Sequence, residues 1–135
     1  MGTFGTVVAV VALGFVALMV GMQWVVRAKA NALKGGPVPD LPGAIGRKIA
    51  AQKRALVYFF SPSCGACRPI TPVIRELGKK NPAVFAVDVM QDMPVARALS
   101  VMATPSTIEI EGGKIVGYHI GMVPEEVLTR FASAR

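Results

Sequence analysis

Cys64 and Cys67 are the only thiols in the chain, and Gly65 and Ala66 alone separate them. Two thiols at this spacing, on a turn between a strand and a helix, can close a disulfide with each other. The first then lies at a helix N-terminus, where unpaired backbone N–H groups and the dipole favour a thiolate and draw its pKa below ~8.5. Cys64 is therefore the expected nucleophile. Cys67, one helical turn on, faces the same side and can attack a mixed disulfide formed at Cys64. That is thiol–disulfide exchange. Arg68, just inside the helix, reads as a solvated group whose charge favours the thiolate modestly.

Other uses of a cysteine pair fit less well. Structural zinc takes four N or S ligands, and beyond the cysteines only His119 is on offer. An iron–sulfur cluster takes four thiolates. No metal and no cofactor is expected. A purely structural disulfide closing so short a loop would remove little unfolded-chain entropy. His119 reads as a surface strand residue, Tyr58 as core, and the seven methionines as core and membrane filling.

The elements that must position the pair follow from pattern. Leu56 to Phe60 is a continuous apolar run, as in a strand buried on both faces. Ile70, Val73, Ile74 and Leu77 form a helical stripe after the cysteines. Val84 to Val87 reads as a second buried strand and Pro94 to Leu99 as a short helix. Ser106 to Glu111 and Lys114 to Ile120 alternate in polarity around Gly112-Gly113, a hairpin signal. Pro124 to Ala132 is a last helix. Upstream, Asp40 is expected to cap a helix with Pro42 in its first turn and Ile45, Ile49 and Ala50 on one face.

The first 26 residues carry no charge, and Val7 to Val26 would span ~30 Å as a helix, the hydrocarbon thickness of a bilayer. The expectation is one transmembrane helix with Trp24 at the interface. A cleavable signal peptide is the competing reading, supported by small residues from Ala28 to Ala32. Against it stand the length of the apolar run, the lack of a basic residue before it, and Arg27 and Lys29 beside the would-be site. The chain then divides into an anchor with a juxtamembrane basic segment at 1–34, a linker at 35–43 and a folded domain at 44–135.

The net charge of +7 is uneven: seven basic residues from Arg27 to Arg54 face Asp40 alone, whereas eight face seven acidic ones from Ala55 onward. The excess is juxtamembrane. It fits anionic lipid headgroups around residues 27–54, at on the order of 1 kcal/mol per basic group, and no nucleic-acid motif accompanies it. Positive charge following the apolar run favours a cytoplasmic domain. The extracytoplasmic or periplasmic side, where disulfides persist, is the alternative.

From Leu56 onward the chain resembles the thioredoxin family. The resemblance rests on Cys64-Gly65-Ala66-Cys67-Arg68, on Pro72 five residues past Cys67, on Thr104-Pro105, and on Gly113 and Gly121. It implies a three-layer α/β/α fold with a mixed central sheet and a C-terminal hairpin. It further implies that Cys64 attacks and Cys67 resolves, and that Thr104 and a cis Pro105 receive an extended substrate chain. Protein thiols and disulfides are the implied partners, with other membrane proteins possible among them. The sequence departs from the family pattern at Tyr58, where a buried aspartate is usual, at Val84 in place of a lysine, and at Ser63 and Ala66 in place of tryptophan and proline. The family's first strand is poorly represented among Pro37, Pro39 and Pro42. The expected function is a membrane-tethered protein-disulfide oxidoreductase, and the alternative is a non-catalytic subunit or binding module of a membrane assembly.

Overall fold

The cysteine pair stands at one end of a four-stranded sheet. In the computed structural model, which describes residues 2–133, the strands are β1 Arg54–Phe60, β2 Val84–Asp88, β3 Ser106–Glu111 and β4 Lys114–Ile120. Their order is β2-β1-β3-β4, with β1 and β2 parallel and the other pairs antiparallel. Five helices complete the chain: α1 Gly2–Leu33, α2 Gly43–Ala50, α3 Thr71–Lys80, α4 Met93–Ala98 and α5 Glu125–Ser133.

Helices cover both faces of β1, which explains its unbroken apolar run. Leu56, Tyr58 and Phe60 pack with Ile70, Ile74, Val127 and Phe131 under α3 and α5. Ala55, Val57 and Phe59 pack with Ile49, Val95 and Leu99 under α2 and α4. Each large apolar side chain so buried contributes about 1.5–3 kcal/mol. The hairpin turn has positive φ at both Gly112 (58°) and Gly113 (73°), the geometry that two glycines allow without strain.

Three local expectations need correction. α2 starts at Gly43 with Pro42 as its N-cap residue and no side-chain cap, so Asp40 lies outside its first turn. Ala50 is exposed, because α2 is only eight residues long and buries the narrow strip around Gly46 and Ile49. Val73 is likewise exposed, on the shoulder of a groove between α3 and α5, while Ile70, Ile74 and Leu77 face the sheet.

The segment read as a linker is tied down at its start. Gly35 N–H donates to Ile115 O (2.6 Å), Val38 N–H to Gly113 O (2.8 Å), and Ile115 N–H to Gly36 O (3.0 Å). Pro37 bridges to Lys114. These bonds cover the outer edge of β4, and β2 forms the other edge of the sheet. The chain then crosses α2 so closely that a Cβ at Gly46 would overlap the Leu41 backbone. The end of α1 joins the core through buried Ala30 and part of Leu33.

Candidate active site at the end of the sheet

Cys64 and Cys67 are joined in a disulfide with their Cα atoms 5.3 Å apart. They sit on a single 3-10 turn, Gly65–Cys67, with Cys64 as its N-cap residue, and not on the first turn of α3. Pro69 and Pro72 explain the break: neither can donate the N–H that a continuous α-helix would send to Gly65 O or Arg68 O. The turn closes instead through Cys67 N–H to Cys64 O and Arg68 N–H to Gly65 O. α3 begins only at Thr71. Its dipole acts within its own first turn, so the N–H groups of Gly65 and Ala66, which those two bonds leave unused, are the local donors that follow Cys64.

Cys64 is partly exposed and Cys67 is buried. A shallow groove holds Cys64, Cys67, Arg68 and Pro72 together with Phe60, Ser61, Thr71, Arg75 and Asp88. Thr104 lines an adjoining groove with Ser61, Met93 and Met102. Ser61 belongs to both, so the two form one surface. Pro105 is buried behind it, its peptide bond with Thr104 is cis, and its carbonyl accepts from Gly121 N–H (2.8 Å). Gly65 and Ala66 are exposed between the cysteines. Arg75 lies over the Phe60 ring, 5.2 Å from its centroid.

Beneath Cys67 lies Tyr58, fully buried. Its hydroxyl is 3.0 Å from Thr71 Oγ1, which donates to Cys67 O at 2.8 Å. Ile70 N–H also donates to Cys67 O (3.1 Å). Burial raises the Tyr58 phenol above its ordinary pKa, and the Thr71 bond opposes this. Tyr58 is thus a neutral hydroxyl and no base. Thr71 escaped the sequence reading, although a threonine four residues past Cys67 can bond back to its carbonyl.

His119 is not simply a surface residue. Its Nε2 is 2.8 Å from Glu109 Oε1, and Arg130 donates to Glu109 Oε2, also at 2.8 Å. Glu109 is buried among them. The reason is register: Glu109 pairs with Leu56 and Gly117, on the face toward α5, which brings Arg130 over it. The methionines also differ from expectation, since Met90, Met93, Met102 and Met122 are exposed at the cysteine end of the sheet.

Comparison with known proteins places these features in a family. The family described as Thioredoxin matches residues 45–134. A thioredoxin H-type of Fagopyrum esculentum is 38% identical over 82 residues, 59% of this chain and 71% of its own length. The thioredoxin of Bacillus subtilis (strain 168) is 30% identical over 76 residues, 54% of this chain and 73% of its own. Among solved structures, the reduced thioredoxin pre-protein of Schistosoma mansoni superposes with a TM-score of 0.56 at 31% identity, over 68% of this chain and 93% of that one.

Proposed function

Because the chain belongs to the thioredoxin family, as a protein-disulfide oxidoreductase with Cys64 and Cys67 as its redox-active pair, we propose that it exchanges this pair with protein substrates while α1 tethers it to a membrane. The observation that carries the order of attack is the difference in exposure between partly exposed Cys64 and buried Cys67. The Cys64 thiolate attacks a substrate disulfide and expels one substrate thiolate. Cys67 then attacks the Cys64 sulfur and releases the second. The pair is oxidised, the substrate reduced, and two electrons and two protons have moved. Thr104 offers backbone to the substrate chain beside the groove, and Tyr58 with Thr71 holds the Cys67 carbonyl through the exchange.

The tether reading is supported by a helix whose residues 2–25 are all exposed and almost wholly apolar, a surface that nothing among the described residues covers. Arg27 and Lys29 in its last turns and Lys34 just past its end suit anionic headgroups and favour the cytoplasmic side for the redox domain. Reduced full chain in phospholipid vesicles is expected to reduce insulin and to lose that activity with Cys64→Ser. Cys67→Ser is expected to accumulate a mixed disulfide through Cys64. An active Cys64→Ser variant overturns the assignment. An active alkaline phosphatase fused to the carboxyl terminus, in a bacterial host, would reverse the side.

A further inference from the structure

The path of the chain sets which end of the domain lies nearest the apolar part of α1. Residues 35–38 bond to Gly113 and Ile115, at the hairpin end of β4. Arg27, Ala30 and Asn31 of α1 lie instead against Tyr118, Ile120 and Met122, at the opposite end. That opposite end is the redox end: Ser106 pairs with both Phe59 and Ile120, and Gly121 bonds to Pro105. Followed backwards from Leu33, α1 therefore climbs β4 toward the cysteines. Its apolar part, from Val26 back, continues beyond them.

The same end carries an apolar rim. Met90 (69% exposed), Met93 (38%), Met102 (54%), Ile120 (39%) and Met122 (73%) lie in or beside the β2–α4, α4–β3 and β4–α5 connections around the site. Unbranched, polarisable methionines suit an irregular, mobile partner. Arg27, the first charge after the apolar run, stands beside Met122. A hydrocarbon core of ~30 Å within a bilayer of ~40–45 Å leaves a headgroup layer of roughly 5–7.5 Å on each side. At ~1.5 Å per helical residue, Arg27 and the rim beside it fall at that depth.

We propose that this rim rests in the headgroup layer of the bilayer holding α1, and that the Cys64–Cys67 pair exchanges with thiols and disulfides of membrane proteins at that depth. The proposal rests on the reading of α1 as a tether. The placement of Ile120 and Met122 beside Arg27 of α1 favours lipid as the occupant of the rim, and Arg27 and Lys29 add charge complementarity to anionic headgroups. The exchange is balanced in itself: one dithiol becomes a disulfide, the other disulfide becomes a dithiol, and two electrons and two protons pass between them.

The test uses the full chain with Cys64→Ser and Cys67→Ser, so that a single added cysteine can carry a nitroxide. Met122→Cys or Met102→Cys reports the rim, and Glu111→Cys reports the hairpin end. In vesicles of phosphatidylcholine and phosphatidylglycerol, relaxation by a water-soluble nickel complex is expected to be severalfold weaker at the rim than at Glu111. Equal relaxation in protein that floats with the vesicles overturns the proposal and leaves the tether standing. Failure to float overturns the tether itself. Shielding in native membranes but not in pure lipid overturns lipid as the occupant in favour of a protein. For the substrate, the unaltered chain is expected to exchange about tenfold faster with a transmembrane peptide whose disulfide sits at headgroup depth than with one held far out on a spacer, because both partners share one layer. Equal rates overturn the substrate assignment.

Discussion

Tyr58 Oη lies 3.0 Å from Thr71 Oγ1, whose single proton is committed to the Cys67 carbonyl. Tyr58 is therefore the donor of the pair. The two hydroxyls supplement the Ile70 N–H at the Cys67 carbonyl, just where the 3-10 turn gives way to α3. Tyr58→Phe deletes the bond to Thr71 and a longer one to the Cys67 carbonyl (3.5 Å), and is expected to lower stability by about 0.5–1.5 kcal/mol, read from urea denaturation. It should also raise the alkylation rate of Cys67 in the reduced protein as its backbone loosens. An unchanged rate would mean that Thr71 and Ile70 hold Cys67 unaided.

In the reduced wild-type protein, iodoacetamide should modify Cys64 well before Cys67, since only Cys64 is reached by solvent. Mass mapping of the singly modified protein checks this. Faster modification of Cys67 would invert the roles of the two thiols.

Burial pushes the Tyr118 phenol up to about 12, and Tyr58 also moves upward. Each keeps its proton in the folded state where the unfolded chain has already ionised. Their stabilisation is complete below about pH 10 and is lost as pH rises toward the folded value, with Tyr118 alone accounting for about 2–3 kcal/mol. Urea midpoints between about pH 9 and about pH 11.5 should fall accordingly. Phenolate absorbance should lag behind that of the denatured chain, which carries the same two tyrosines.

Thr107 stands between Tyr58 on β1 and His119 on β4, and its buried Oγ1 has no hydrogen-bond partner among the described residues. Thr107→Val keeps the shape and removes the unmet hydroxyl. It is expected to stabilise the fold by about 1 kcal/mol, seen as a higher urea midpoint.

A Cβ at Gly117 would overlap the Glu109 carboxylate, which His119 and Arg130 hold in place. Gly117→Ala should therefore cost about 1–3 kcal/mol. Combining it with Glu109→Ala, which vacates the space, should cost less than the two separate losses added together. Full additivity would show that the contact is relieved elsewhere.

Features written in adjacent residues were legible before the fold was known. The buried run from Leu56 to Phe60, the Gly112-Gly113 hairpin and the turn-borne cysteine pair all depend on local pattern. Features that depend on register between distant segments were not. Glu109 meets His119 because two strands pair with a bulge between Glu109 and Ile110, and it meets Arg130 only once α5 packs across the sheet. The exposed methionines read as filler because nothing in their spacing shows that three separate connections converge. The placement of Cys64 on its own 3-10 turn was open to a closer reading, since Pro69 and Pro72 both forbid the α-helical hydrogen bonds that the expected helix needed.

The bonds that tie Gly35, Gly36 and Val38 to β4 bear on how this domain searches. A free nine-residue linker would let its cargo wander about 15–18 Å from the anchor. A linker pinned at its start leaves the domain almost no leash. With α1 in a bilayer, the domain's height and tilt are then set by the helix, and encounter with partners in the same bilayer becomes a search in two dimensions. The rate should follow the areal density of partners and the fluidity of the lipid, while the concentration of soluble protein disulfides in the adjoining compartment matters far less.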